Sequence, residues 1–295
     1  MERHHLDLAD DSEPAKGSVT QHLTGISCVS ATSCFASGSG PTPIDDGDGV
    51  GPFAEQWTGG SGWKLLSVPS PKPIVFEPSG EPDLGAYGLA AISCVSSVKC
   101  MAVGGQGLTL AMQSLASFAV SWNGQHWTIE RTGRIDGLFG VSCAPGSSCL
   151  TTGAYLDKND ATQSLAESVT GSAARIVSPH RLGGVLATIA CPSATFCLAT
   201  RGTSAASWNG KRWTWTGAVA KTVFETDPDG AINVLSCASS DFCMGIGGGD
   251  AKLVQFWNGK SWHSAPALTL RRHPRRTLER QHLARPGITW PSPGR

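Results

Sequence analysis

Apolar residues fall in short runs bounded by Gly, Asn, Ser and Pro, such as Leu89-Ala90-Ala91-Ile92-Ser93-Cys94, Cys100-Met101-Ala102-Val103-Gly104 and Phe118-Ala119-Val120-Ser121-Trp122. Runs of this length and punctuation predict β-strands, and no sustained 3.6-residue period competes with them. The runs keep a fixed order. One strand ends at a cysteine, a second starts at the next cysteine and runs into glycine, a third leads into a tryptophan, and a fourth leaves from another.

This unit recurs. Its cysteines are Cys28/Cys34, Cys94/Cys100, Cys143/Cys149, Cys191/Cys197 and Cys237/Cys243, which use all ten cysteines as C-x5-C. Its tryptophans are Trp57/Trp63 (one residue further apart), Trp122/Trp127, Trp208/Trp213 and Trp257/Trp262. The third unit keeps the segment without tryptophan, as Val169-Thr170-Gly171-Ser172-Ala173-Ala174. First cysteines lie 66, 49, 48 and 46 residues apart, a period that belongs to propellers and solenoid arrays. The expectation is an all-β chain, a β-propeller of about five four-stranded blades at about 21–70, 86–133, 136–180, 183–220 and 231–268. Residues 1–20 read as a flexible lead-in, and residues 269–295 as an Arg/Pro-rich disordered tail.

Local geometry follows from the turns. Asn123-Gly124, Asn209-Gly210 and Asn258-Gly259 suggest two-residue type I′ hairpins. Such a turn would pair Trp122 with Gln125 and Val120 with Trp127, and would set both tryptophans on one face. That placement reads as packing between blades rather than ligand stacking. A turn centred on Ala31 sets Cys28 opposite Cys34, where a disulfide is plausible in the closer, non-hydrogen-bonded kind of pair. Each such short loop is worth about 2 kcal/mol. Zinc is the rival reading, but zinc sites use tighter cysteine spacing with further Cys or His, and no histidine recurs beside these pairs.

Composition adds two points. Net charge is zero, yet seven arginines crowd the tail against one acid, which leaves 16 basic against 22 acidic residues in the remainder. The folded body is mildly acidic, so no nucleic-acid partner is expected for it. Ten evenly used cysteines suggest disulfides and an oxidising compartment. Met1–Leu8 is charged and lacks the apolar stretch of an export signal, and no apolar run is long enough to span a membrane. Two readings stay open: export with a leader upstream of Met1, or a cytosolic chain with reduced thiols.

The unit S-C-x5-C-x-A-x-G … W-N-G-x-x-W resembles a propeller-like repeat of secreted or surface proteins in high-GC, actinobacterial-type bacteria, over roughly residues 21–268. The resemblance implies a propeller and a surface setting, with no defined activity. Ser121-Trp122-Asn123-Gly124-Gln125-His126-Trp127 also resembles the sialidase-type Asp-box, S-x-D-x-G-x-x-W. It is one residue shorter with Asn for Asp, so the likeness implies fold and no activity.

In an up-and-down blade the cysteine turn and the Asn-Gly turn share one end. The variable loops lie at the other and carry Asp45, Asp46, Asp48, Asp157, Asn159, Asp160 and Asp250, the candidate binding residues. Asp45-Asp46-Gly47-Asp48-Gly49 lacks the spacing and distal Glu of a calcium loop, so no metal or other cofactor is expected. No catalytic motif occurs. Glu55, Glu77, Asp83 and Glu225 are acids that glycosidic chemistry could in principle use. The expected function is a non-catalytic, exported or surface propeller that binds a protein or glycan through its variable loop face. The alternatives are a glycan-active propeller enzyme, sialidase- or lyase-like, and an intracellular scaffold. Five complete units could close into a ring, which would make the protein a monomer.

Overall fold

The computed structural model describes residues 22–41, 50–60, 62–71, 87–106, 117–132, 137–146, 148–159, 161–170, 173–177, 184–202, 204–218, 232–247 and 253–264. The expected lead-in and tail lie outside them. Twenty strands form five four-stranded antiparallel meanders, the blades of a β-propeller. Blade 1 holds β1 (His22–Ser30), β2 (Ser33–Pro41), β3 (Val50–Trp57) and β4 (Trp63–Leu66). Blade 2 holds β5 (Tyr87–Ser96), β6 (Lys99–Gln106), β7 (Ser117–Trp122) and β8 (Trp127–Glu130). Blade 3 holds β9 (Leu138–Cys143), β10 (Cys149–Leu156), β11 (Thr162–Thr170) and β12 (Ala173–Ile176). Blade 4 holds β13 (Thr188–Ser193), β14 (Phe196–Arg201), β15 (Ser204–Trp208) and β16 (Trp213–Ala218). Blade 5 holds β17 (Ile232–Ser239), β18 (Phe242–Gly247), β19 (Leu253–Trp257) and β20 (Trp262–Ser264).

Each C-x5-C closes a disulfide between the first two strands of its own blade. Cys28 stands opposite Cys34, Cys94 opposite Cys100 and Cys237 opposite Cys243, with Cα–Cα distances of 3.9–4.0 Å. Those short distances mark the non-hydrogen-bonded kind of pair, which turns the cysteine N–H away from the partner strand. In blades 1, 2 and 3 the glycine four residues after the second cysteine is equally determined. A Cβ at Gly38, Gly104 or Gly153 would overlap a main-chain carbonyl oxygen in or just before the preceding strand, from His22, Gly88 and Gly137 respectively.

The tryptophan hairpins differ from expectation in register. Trp122 pairs directly with Trp127, and Val120 with Ile129. The loop therefore spans Asn123–His126. The Asn123 side chain sets it, because Oδ1 accepts the N–H groups of Gln125 (2.9 Å) and His126 (3.0 Å). Asn209 and Asn258 cap their loops in the same way. The glycine of each Asn-Gly pair has a positive φ, 96° at Gly124, 87° at Gly210 and 88° at Gly259. The two tryptophans still share a face and tilt against each other, with ring centroids 5.6 Å apart in blade 2.

The core lies between blades, in seams that repeat one pairing. A blade's forward face meets the rear face of the next. The rear face carries the disulfide and the tryptophan pair, so Cys100, Trp122 and Trp127 of blade 2 pack on Phe35, Ala54 and Leu66 of blade 1. The forward face carries the serine before the first cysteine. It accepts the N–H of the next blade's first cysteine: Cys94 to Ser27 (2.9 Å), Cys143 to Ser93 (3.0 Å) and Cys191 to Ser142 (2.9 Å). In the fourth seam Ala190 replaces the serine and packs beside Leu198 on Leu235, Cys243 and Trp257.

Four seams exist, β1 against β5, β5 against β9, β9 against β13 and β13 against β17. Among the described residues no seam of this kind joins blade 5 to blade 1, so the expected ring closure is not formed by these strands. Exposure shows the consequence. Ile92 of blade 2 is 7% exposed, whereas Ile26 at the same position of blade 1 is 64% exposed. Five disulfides suit an oxidising, extracellular environment. Among the described residues no helix is long and apolar enough to cross a membrane.

Candidate functional site

A cleft of about 370 Å³ opens in the seam between blades 3 and 4. Small and medium side chains border it on the blade 3 side. At the residue after the second cysteine, blade 1 fills its seam with Phe35, while blade 3 has Leu150. At the residue before that cysteine, blade 4 carries Phe196 and blade 3 carries Ser148. On β11 the facing position is Ser168, whose hydroxyl lies 2.6 Å from that of Ser148. These small groups stand opposite Trp208 and leave its surroundings unfilled.

Two cations border the space. Arg175 on β12 pairs across the strands with Ser168 and so shares its face. Lys211 comes from the capped loop of blade 4, where its N–H donates to Asn209 Oδ1 at 3.0 Å. Trp208 is held from behind by Trp213, with ring centroids 5.6 Å apart. Among the described residues the lining combines an indole, two cationic side chains and several serine hydroxyls, without Asp or Glu. Such a set can hold an anionic, hydroxyl-rich ligand against an aromatic edge. It offers neither a base beside a nucleophile nor the paired carboxylates of glycosidic cleavage.

The residues singled out from sequence lie elsewhere. Asp157 and Asn159 sit in the β10–β11 turn, at the opposite end of blade 3 from the cleft. Asp157 Oδ1 accepts the N–H groups of Asn159 (2.9 Å) and Ala161 (3.1 Å), and Oδ2 accepts from Gln163 Nε2 at 3.1 Å. Those two backbone donors hold the carboxyl below the ordinary aspartate range. Asp157 therefore closes its own turn. Asp45, Asp46, Asp48, Asp160 and Asp250 lie outside the described residues, as do Glu77, Asp83 and Glu225. Glu55 is on the rear face of blade 1, opposite Ala36. Among the described residues no three His, Cys, Asp or Glu side chains gather as a metal site would require.

Sequence reasoning missed Arg175, Lys211, Ser148 and Ser168, and assigned Trp208 to packing alone. Aligning the repeats does not single them out, because blade 1 carries Ser33 and Lys64 at the positions of Ser148 and Arg175.

No protein-family profile matches the chain, and no curated protein sequence matches it. Solved structures do. A Hadza microbial sialidase, Hz136, aligns with TM-score 0.54 and 12% identity over 84% of this chain and 58% of its own. The GH74 xyloglucanase from Xanthomonas campestris aligns with TM-score 0.52 and 13% identity over 84% of this chain and 38% of its own. YCF48 bound to a D1 peptide gives TM-score 0.49 and 11% identity over 83% and 68%. The chain thus spans little more than half of the sialidase and well under half of the xyloglucanase. At these identities the likeness is one of architecture, and by architecture this chain is a five-bladed β-propeller.

Proposed function

We propose that the protein is a non-catalytic, exported or surface-exposed propeller that binds an acidic glycan in the cleft between blades 3 and 4. The observation that carries this reading is the lining itself, Trp208 beside Arg175 and Lys211 with serine hydroxyls and, among the described residues, no carboxylate. Sugar rings offer C–H faces that pack on an indole, and their hydroxyls suit serines. A carboxylate or sulfate on the sugar supplies the charge that two free cations favour. Five staples of the kind seen here suit a secreted scaffold. The reading moves the site from the variable loop face to the turn end of the blades.

A glycan array that spans neutral, uronate-containing, sialylated and sulfated oligosaccharides tests it. Acidic members should bind preferentially, and the double variant Arg175→Ala/Lys211→Ala should weaken them at least about tenfold, the loss of one to two charge-assisted hydrogen bonds. Asp157→Asn should leave that affinity unchanged. Binding that ignores charge, or a double variant with wild-type affinity, would refute the assignment.

A further inference from the structure

The two faces left over at the ends of the blade series are the two halves of a seam. Among the described residues no strand packs on the forward face of blade 5. Val234, Phe242, Met244 and Ile246 are all exposed there, and Ser236 is exposed with them. On the rear face of blade 1, Leu23, Ile26 and Trp63 are exposed. Large apolar patches of this kind mark interaction surfaces.

Their chemistry identifies what covers them. Blade 5's forward face repeats that of blade 4, with Ser236, Phe242 and Met244 standing where Ala190, Phe196 and Leu198 stand. Blade 1's rear face repeats that of blade 5, with Ile26, Cys34, Trp57 and Trp63 standing where Leu235, Cys243, Trp257 and Trp262 stand. Blade 4's forward face and blade 5's rear face already form a packed seam in this molecule. The unfilled pair therefore reproduces an interface the chain makes within itself. The polar rung is present too. Ser236 offers the hydroxyl that Ser27, Ser93 and Ser142 use, and the N–H of Cys28, turned away from β2, is the matching donor. Val234 fits the pattern, because it has the shape of Thr188, which the fourth seam accommodates at the same position.

We propose that these faces bind one another between copies of the chain, the forward face of blade 5 on the rear face of blade 1 of a second copy. The contact is head-to-tail, so it gives a ring where the rotation closes and a growing series where it does not. Hydrophobic burial drives it, and the Ser236–Cys28 hydrogen bond sets its register.

Two charge insertions separate this arrangement from its alternatives. Met244→Asp blocks the forward face and Ile26→Asp the rear face, each by burying a carboxylate in the seam, and each should weaken association at least about a hundredfold. Both positions are substantially exposed in one copy, so both variants should fold. Ser236→Arg and Leu23→Lys serve as second variants, and circular dichroism with a thiol assay checks each. Sedimentation velocity should show wild-type protein associating with concentration and either variant alone remaining monomeric. A mixture of the two should form a 1:1 dimer that grows no further, because each supplies the face the other retains. Wild-type protein that stays monomeric at every concentration overturns the proposal, whether the faces are idle or close on each other within one chain. A mixture that stays monomeric also overturns it, and so does association abolished by only one variant, which would indicate like faces meeting.

Discussion

The sharpest consequence of the seam architecture is that one residue type at one repeat position should differ in value by where its blade sits. Ile26 and Ile92 both lie two residues before the first cysteine of their blades and point to the rear. Ile92 meets blade 1 and is 7% exposed; Ile26 meets no other blade among the described residues and is 64% exposed. Truncation to alanine removes three carbons, worth about 0.8 kcal/mol each when fully buried. Ile92→Ala then loses about 2 kcal/mol of transfer energy, and the enclosed cavity raises the cost to about 3–4 kcal/mol. At Ile26 only about a third of the side chain is covered, so the loss is about 1 kcal/mol with no enclosed cavity. Equilibrium urea unfolding with disulfides intact measures both. The protein must be dilute, so that the end faces stay unoccupied, and the m-value should be unchanged. Equal costs at the two positions would refute the reasoning, since they would mean that the rear face of blade 1 is covered in the monomer.

Other consequences can be checked together. Non-reducing peptide maps should pair every cysteine with its neighbour six positions on, with two hydrogens lost per bond; cross-blade pairs would contradict the register. Replacing Cys143 and Cys149 by serine should cost about 2 kcal/mol, the entropy of a short loop. Gly104→Ala should cost at least about 3 kcal/mol, because its methyl group would overlap the Gly88 carbonyl, and a variant of wild-type stability would disprove that contact. The folded-state acidity of Asp157 is raised by its turn, so its stabilising contribution is complete above the unfolded-state pKa and fades as pH falls through the lower folded value. Thermal melts of wild type and Asp157→Asn should therefore converge on acidification, and a gap that widens would reverse the sign of the account. Deleting residues 271–295 should leave the melting temperature unchanged, on the sequence pattern alone.

The blades were legible because their determinants are local. Cysteines six residues apart allow one antiparallel register, and five repetitions of it left little freedom. The glycine after C-x-A-x was visible as a motif, but its reason was not, since the carbonyl it makes room for belongs to another strand. Hairpin register was misread because the Asn-Gly pair was taken as the whole turn. The Asn123 side chain instead accepts two later amides and lengthens the loop to four residues. The cleft was illegible as a site because it depends on comparison across a seam, where Ser148 and Ser168 are informative only beside Phe196 and Trp208. The same holds for Glu167, a fully buried acid on β11 that the reading along the strand passed over. Closure depends on small rotations accumulated over four seams, a quantity no single repeat encodes.

The central claim is that Arg175, Lys211 and Trp208 together hold an acidic sugar, and tryptophan fluorescence tests it most directly. A sulfated or uronate-rich oligosaccharide titrated into the protein should change the emission of the indole that lines the cleft. The change should saturate, and rising salt should weaken it, because both cations are solvent-exposed and screened. Arg175→Ala/Lys211→Ala should abolish it while keeping the fold. A saturable change that persists in that double variant, or no change with any acidic oligosaccharide, would contradict the account.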